Sequence, residues 1–587
     1  MTYAIQNARV GKEPFIAVGL VCDKCSEVSG VAPCTAAETG DAKCYNTRAT
    51  CTDPDNYAKT TQEIIFCEPR SNLPVGVAMF PALVSPPTKS TTTITSGKGL
   101  GDREVVKVKI KDFPHHDRGI DPYISTRTYD AETQGTFWGK WLRRNQYFEG
   151  RTLKVYEGFI GEVFSWADFE IYEYDIVDID GVTNGEVRIT AKDLLIRTYG
   201  TANKYPVASE GTLLADITAA AGTATLTPTG VGNSDYTASG YIAIGGEVKA
   251  FTRSADVLTF TAHGAWGTTD EAHEAGDTVQ QCIAWEEVNV VDVLDELLTT
   301  GAGIPAANIP YDNGAPFTDI WDVEKDLWLS SSNVYGILTE PEDVNKVVKE
   351  LSEQFMFDIW YNAEYQEVRI KAIAPERSGV TINAINDQYQ ILKGSLKVVR
   401  ESSKRFSEIQ VWYDKINYEE GDDIKNFKTI LVHADVSRSG VDKYGSNSIK
   451  VVKCRWLKTA AGAQKLAGRL LARFADTPEL VTFEVAGKDE SLLSMAERVA
   501  ITAWQFQDFN GANEARNFQI TSINEFADLD VIKVKALTSS FVGAYGFIAP
   551  NTTPDYLSAS DTEKDNYAFI CYDTGVFTDG EPADKII

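Results

Sequence analysis

Six of the chain's nine cysteines fall between positions 22 and 67, and that crowding constrains its folding more than any other feature. They are Cys22, Cys25, Cys34, Cys44, Cys51 and Cys67, whereas Cys282, Cys454 and Cys571 stand alone. The surrounding stretch is dense in Gly, Pro and Thr and poor in large apolar side chains, so burial gives it little to fold around. Cross-linking through a bound metal orders such a segment. No basic region followed by an apolar one opens the chain, and Phe15 to Val21 reads as a strand, so no secretory signal is expected. Without one, clustered thiols favour a metal over a disulfide framework. Thiolates in this number suit zinc or an iron–sulfur cluster, with two to spare. The spacing matches neither a zinc ribbon nor a ferredoxin run, and disulfides or free thiols stay open as alternatives.

At 587 residues the chain is long enough for several cores. Abundant aromatics, Val, Ile and Thr favour β-structure. The 84 acidic against 56 basic residues give a net charge of −28, which argues against a protein that grips nucleic acid. No apolar run is long enough to predict a membrane-spanning helix.

The expected fold is mainly β with α+β elements, in several units. Residues 1–90 form the cysteine-rich segment, and Ser85 to Gly101 reads as a linker. Residues 91–205 alternate apolar and polar positions in VVKVKI, YEYDIVDID and EVRITAKDLL, with Asn184-Gly185 as a hairpin turn. Residues 206–284, rich in Ala, Gly and Thr, read as a small all-β insertion. In residues 285–389 two helices are predicted, from Val288, Val291, Leu294 and Leu298 and from Val344, Val347, Leu351 and Phe355. Thr339 with Glu342 looks like a capping box for the second, and the hairpin FDIWY/EVRIKAI follows it. Residues 390–540 are strands interrupted by one helix at about Ala460 to Phe474, and residues 541–587 form an acidic C-terminal arm.

Enzymatic chemistry is not expected. The chain has five histidines and no HExxH, GxSxG, P-loop or GxGxxG motif. Asp112, His115, His116, Asp117 and Asp121 crowd one segment, but adjacent strand residues point to opposite faces, so a structural turn is the better reading. Trp138, Trp141, Tyr147 and Phe148 are expected to pack in a core or at a subunit contact.

The segment Val21 to Phe66, with CSEVSGVAPC and KCYNTRATCTDPDNYAKTTQEIIF, resembles the N-terminal region of tail proteins of siphophages and related prophages. A Cys, an APC triplet and a CYNT…TC element recur in that pattern and fall here on Cys25, Cys34, Cys44 and Cys51. DFPHHDRGIDPY (Asp112 to Tyr123) and GTFWGKWLRRNQYFEGR (Gly135 to Arg151) are similar to two further blocks. The module containing SGYIAIGGEVKAFTR and HGAWGTTDEAHEAGDTV is similar to an insertion of phage tail proteins, many of which read RG where this chain has His263-Gly264.

The resemblance implies a structural hub at the distal end of a virion tail, synthesised in the host cytoplasm and built from tail-tube-like β-barrel domains. It implies a homo-oligomeric ring, a trimer, between the tail tube and a central fibre, with distal tail and tape measure proteins as neighbours. DNA is met only in transit and the host surface only indirectly; an acidic lumen would repel the phosphates during ejection. It also implies Cys25, Cys34, Cys44 and Cys51 as ligands of an iron–sulfur cluster, with zinc, or no metal and disulfides, as the alternatives for a particle that works outside the cell. The competing expectation is a receptor- or glycan-binding tip protein acting through the insertion, with Tyr236, Tyr241 and Trp266 as candidates.

Overall fold

The computed structural model describes residues 13–539 apart from 71–72, 75, 91–92, 95–103, 161–163, 200–203, 313–319, 364, 376–381, 435–447, 488–491 and 527–530, together with Phe541 and Ser560. The rest of the expected C-terminal arm, Cys571 included, lies outside the described residues. The fold is mainly β, as the composition predicts, and one of its sheets curls into a half-barrel.

The N-terminal sheet has seven antiparallel strands: β1 (Pro14–Cys25), β2 (Lys59–Cys67), β3 (Thr88–Ser90), β4 (Val105–Lys111), β5 (Thr152–Phe159), β6 (Glu170–Ile179) and β7 (Glu186–Lys192). Their order is β2-β1-β5-β6-β7-β4-β3. Alternation decides which face is buried: Val106, Val108 and Ile110 lie inward while Lys107 and Lys109 face solvent. The predicted turn between β6 and β7 forms with positive φ at both Asn184 (54°) and Gly185 (76°), a conformation that suits Asn-Gly. Residues 80–84 join the two ends of the sheet. The amides of Phe80 and Leu83 donate to Ile65 and Cys67 of β2, and Val84 donates to Lys109 of β4.

Three of these strands, β1, β2 and β3, come from residues 1–90, so the expected boundary at residue 90 falls inside one sheet. The cause is non-local pairing: β1 lies between β2 and β5, far apart in sequence. Part of the expected linker is structured as well. Ile94 is buried beside Trp360 and Ala496, and its amide donates to Thr521 at 2.8 Å.

β8 (Lys204–Tyr205) leads into the insertion, which contains β9 (Thr212–Leu213), β10 (Thr223–Thr227), β11 (Ser239–Ile244), β12 (Glu247–Ser254) and β13 (Val257–Ala262) around a core of its own. Its last strand, β14 (Val279–Asn289), continues past the expected end at residue 284 and pairs with β15 (Asn333–Leu338).

β16 (Glu342–Asp343) pairs with β8, and β17 (Phe357–Asn362) with β18 (Glu367–Ala372) forms the predicted hairpin. β19 (Asn383–Asn386) and β20 (Lys397–Arg400) edge a six-stranded sheet with β24 (Glu479–Ala486), β25 (Arg498–Gln507), β26 (Asn513–Phe526) and β27 (Val531–Thr538). Between them in sequence, β21 (Glu408–Lys415), β22 (Phe427–Ala434) and β23 (Ile449–Lys453) make a three-stranded sheet.

Four helices bear on the argument: α1 (Phe137–Arg144), α2 (Val290–Glu296), α3 (Val344–Phe355) and α4 (Ala460–Phe474). α3 falls on the predicted apolar spacing; α2 holds Val291 and Leu294 of its predicted set, while Val288 lies in β14 and Leu298 in the π-helical turn that follows; and α4 has the predicted bounds, with Thr459 accepting from the Gly462 amide at its start. The capping box does not form. Asp343 is the N-cap of α3, without a side-chain cap bond, and Glu342 instead pairs with Arg455 at 2.9 Å and Lys346 at 2.8 Å. The main core joins the N-terminal sheet to all four helices, whereas the insertion and the six-stranded sheet each have a separate core.

The insertion's aromatics do not form an open platform. Tyr236 is buried and donates to the Val279 carbonyl at 2.5 Å. Trp266 packs between Tyr335 at 4.9 Å and Tyr418 at 5.3 Å, with Tyr241 at 5.7 Å. Tyr241 and Trp266 fasten the module to the rest of the chain, while Tyr236 packs in the module's own core. That corrects the expectation that they form a recognition surface. Gly267 permits the approach, because it has φ +78° and an added Cβ would overlap the Ile416 carbonyl oxygen. Gly267→Ala is therefore expected to undock the module and leave its core intact, splitting the calorimetric transition into two; a single unshifted transition would contradict this docking.

Candidate functional site

β1 and β2 form an antiparallel hairpin in which Cys25 opposes Lys59 and Cys22 opposes Gln62. Residues 26–58 are its long end loop, and regular strands cannot order them. Backbone bonds fold the loop back on itself. The Cys25 amide donates to Asn46 at 2.7 Å, Cys34 to Val31 at 2.9 Å, and Cys44 to Ala37 at 2.9 Å. Asn46, at φ 55°, returns its side-chain amide to the carbonyls of Cys25 and Glu27. Thr35 donates twice to Asp53, at 2.7 and 2.8 Å.

The remaining order comes from residues 115–145. Tyr123 packs on Cys34, Ala36 and Cys44, and its hydroxyl accepts from the Ser29 amide at 2.8 Å. Arg127 is fully buried with Asp121, which takes two of its N–H bonds at 2.7 and 2.8 Å. The other end of the guanidinium donates to the carbonyl oxygens of Cys44, at 2.7 Å, and Glu38. Arg144 caps the opposite face of the loop, and the Tyr45 ring lies between the two guanidinium groups, 4.1 Å from Arg127 and 4.2 Å from Arg144. The Thr47 hydroxyl donates to the Arg144 carbonyl at 2.6 Å.

The histidine–aspartate segment supports this arrangement as a turn. Asp117, at φ 59°, receives Lys140 and Arg144, each at 2.9 Å. Burial opposes its charge, but contacts from His115, Lys140 and Arg144 outweigh that cost and hold the carboxyl well below the usual range. Asp112 accepts from the amides of Phe113 and Trp138, anchoring the start of α1. The reading as a structural turn agrees with these bonds, but its premise needs correcting. The segment is not a strand, and the rings of His115 and His116 lie side by side at 4.7 Å.

The six clustered cysteines separate into two groups. Cys25, Cys34 and Cys44 are buried and Cys51 is half-buried, all in or bordering the loop. Burial pushes the Cys44 thiol up; the Asn46 amide opposes this, and the charges of Cys34, Cys51 and Cys25 reinforce it, so those three thiols lie within electrostatic reach of Cys44. The Tyr57 hydroxyl is pushed up to about 12 by burial and then by Asp23, Cys25 and Cys51, and it is buried without a hydrogen-bond partner among the described residues. Cys22 instead belongs to the main core, its thiol pushed up to about 12 mainly by burial. Cys67 packs with Phe15, Ala17 and Tyr156. All eight described cysteines are free thiols. Among the described residues no three His, Cys, Asp or Glu side chains converge on a single-ion site. Sequence reasoning missed Arg127 and Tyr57 as parts of this arrangement; neither has a periodic or motif signal.

No family model matches the chain, and no curated protein matches it. Among solved structures it is similar to a tail protein from Neisseria meningitidis MC58, at 11% identity and TM-score 0.37, over 76% of this chain and 90% of that one. It is similar to the 43 kDa tail protein of prophage MuSo2 from Shewanella oneidensis, at 10% identity and TM-score 0.35, over 77% and 98%. It is also similar to prophage tail protein gp18 from Listeria monocytogenes, at 9% identity and TM-score 0.28, over 67% and 86%.

Replacing Arg127 by Leu leaves Asp121 buried and unpaired, and is expected to cost about 3–5 kcal/mol in urea unfolding. For Asp117 the folded pKa is depressed, so its contribution is present above the unfolded value of about 4 and fades as pH falls below it. Asp117→Asn should therefore destabilise the chain at pH 7, and the gap in urea midpoint from the unaltered chain should shrink towards pH 3. A gap that widens on acidification would contradict the ion-pair role.

Proposed function

We propose that this chain is a structural component of a phage tail tip, a homo-oligomeric hub whose N-terminal loop is locked by a thiolate-bound metal group. One observation carries the reading. The three sequence blocks that resemble siphophage tail proteins lie apart along the chain, yet they pack together around Cys25, Cys34, Cys44 and Cys51. A loop with so little apolar substance needs a cross-link at its centre, and four thiols occupy that place.

The residues fit an iron–sulfur cluster better than zinc. Four thiolates on one tetrahedral zinc stand about 3.8 Å apart, from a metal–sulfur distance of about 2.3 Å. Cys25, Cys34 and Cys51 all lie within electrostatic reach of Cys44, and the several metal atoms of a cluster give it a wider ligand shell than a single zinc. When bound, the cluster would supply cross-links between loop segments. The orphaned Tyr57 hydroxyl beside Cys25 and Cys51 is a ready donor to ligand sulfur. Thiols must lose their protons to bind metal, so loading releases protons and retention weakens as pH falls.

In this reading the N-terminal sheet and the six-stranded sheet supply the wall of a ring, a trimer, between tail tube and central fibre, beside distal tail and tape measure proteins. The net charge of −28 favours a lumen that passes DNA without retaining it. The test is elemental analysis and visible absorption of protein prepared without oxygen. Iron and acid-labile sulfide in equal amounts, with a brown chromophore, are expected. Serine at Cys25, Cys34, Cys44 or Cys51 should remove them, whereas Cys22→Ser and Cys67→Ser should retain them. Stoichiometric zinc, or paired thiols without metal, would overturn the cluster; a strictly monomeric chain would overturn the ring.

A further inference from the structure

α4 and the loop before β15 enclose a cleft of about 180 Å³ that the reading above does not use. Lys458, Thr459, Lys465 and Arg469 line it from the helix side, and Ser331 and Ser332 from the loop. In a chain of net charge −28 this concentration of cations is unusual. Lys465 Nζ contacts Ser331 Oγ at 3.0 Å, the Trp328 carbonyl at 3.3 Å and Ser332 Oγ at 3.5 Å. Arg469, only 9% exposed, donates to the same carbonyl at 3.4 Å. Lys458 lies over the Tyr335 ring at 3.6 Å.

The plainer role of Lys465 and Arg469 is to cap the helical turn that ends near Trp328. That role supplies one shared carbonyl and two hydroxyls, all neutral, to the half-buried Lys465 and the buried Arg469, one helical turn apart. No carboxylate among the described residues lies within 4.0 Å of either, and Glu287, at the rim, is exposed. Burial, with Arg469 adding to it, holds Lys465 down to about 8, and burial holds Arg469 down to about 10. An anion in the cleft would relieve both.

We propose that the cleft is an anion site for a carboxylate and that the acidic stretch after Phe541 of this chain supplies it. Phe541 is buried, with the Arg473 guanidinium 5.3 Å from its ring, one turn along α4 from Arg469. The described chain thus leads onto the helix that lines the cleft. From Asp555 to Asp584 the stretch has eight acidic side chains against one lysine, Lys564. The start of α4 lies about 20 Å back along its axis from Arg473, whereas the residues between Phe541 and Asp555 span up to about 46 Å when extended.

Zero-length carbodiimide cross-linking of the full chain, mapped by mass spectrometry, tests this directly. The expected product joins Lys465 or Lys458 to a carboxylate between Asp555 and Asp584, disappears in the Lys465→Gln/Arg469→Gln variant, and is depleted by excess acetate. Mixing isotope-labelled and unlabelled chains assigns the source. Cross-links only between copies would overturn occupancy by the chain's own segment. A product with Glu287 alone, or free modification of Lys465 with no cross-link, would overturn the site.

Discussion

The guanidinium of Arg127 has no exposed surface, and the cysteine loop takes its shape from it. A buried cation is tolerated only when its donors are matched, and here every side is used. Asp121 neutralises one edge, the carbonyls of Glu38 and Cys44 take the other, and Tyr45 covers a face. The planar five-donor fork of arginine suits this task, where a lysine would reach one partner at a time. The loop that holds four thiols is therefore positioned by a residue 83 positions away from Cys44.

The same dependence continues outward. Arg127 is held by Asp121, Arg144 by Asp117, and Asp117 by a turn that α1 anchors through Lys140. Trp138 and Trp141 of α1 are buried in the main core, and Trp138 stacks on Phe66 of β2 at 5.5 Å. The polar clamp on the loop and the apolar core of the N-terminal sheet are two sides of one short helix, so loss of either loosens both.

Elements whose residues repeat were legible in the sequence. Alternation in VVKVKI gave β4, Asn184-Gly185 gave the β6–β7 hairpin, and the apolar spacing of α3 and α4 gave both helices. Long-range pairing was not legible. The unit boundaries expected at residues 90 and 284 fall within a sheet and a strand, because register between distant strands leaves no local trace. α1 escaped notice because it is short, contains Gly139, and presents aromatics that suit a strand equally well. The thiols at the candidate site were visible by composition and resemblance. Arg127 lies between two resembling blocks and was not, since an ion pair imposes no period on the chain.

β14 gives the inserted module its mechanical character. Its eleven residues, about 36 Å at strand rise, pair with β11 inside the module and with β15 outside it, and the strand leads directly into α2. Its irregularity is the bulge at Glu287, with φ 61°. A second attachment stands at Trp266 against Tyr335 and Tyr418. A body held at two separated points is a bracket rather than a pendulum. A load on the module's outer end would divide into a pull along β14 and a push on the aromatic contact, and the main core would feel it as torque on α2.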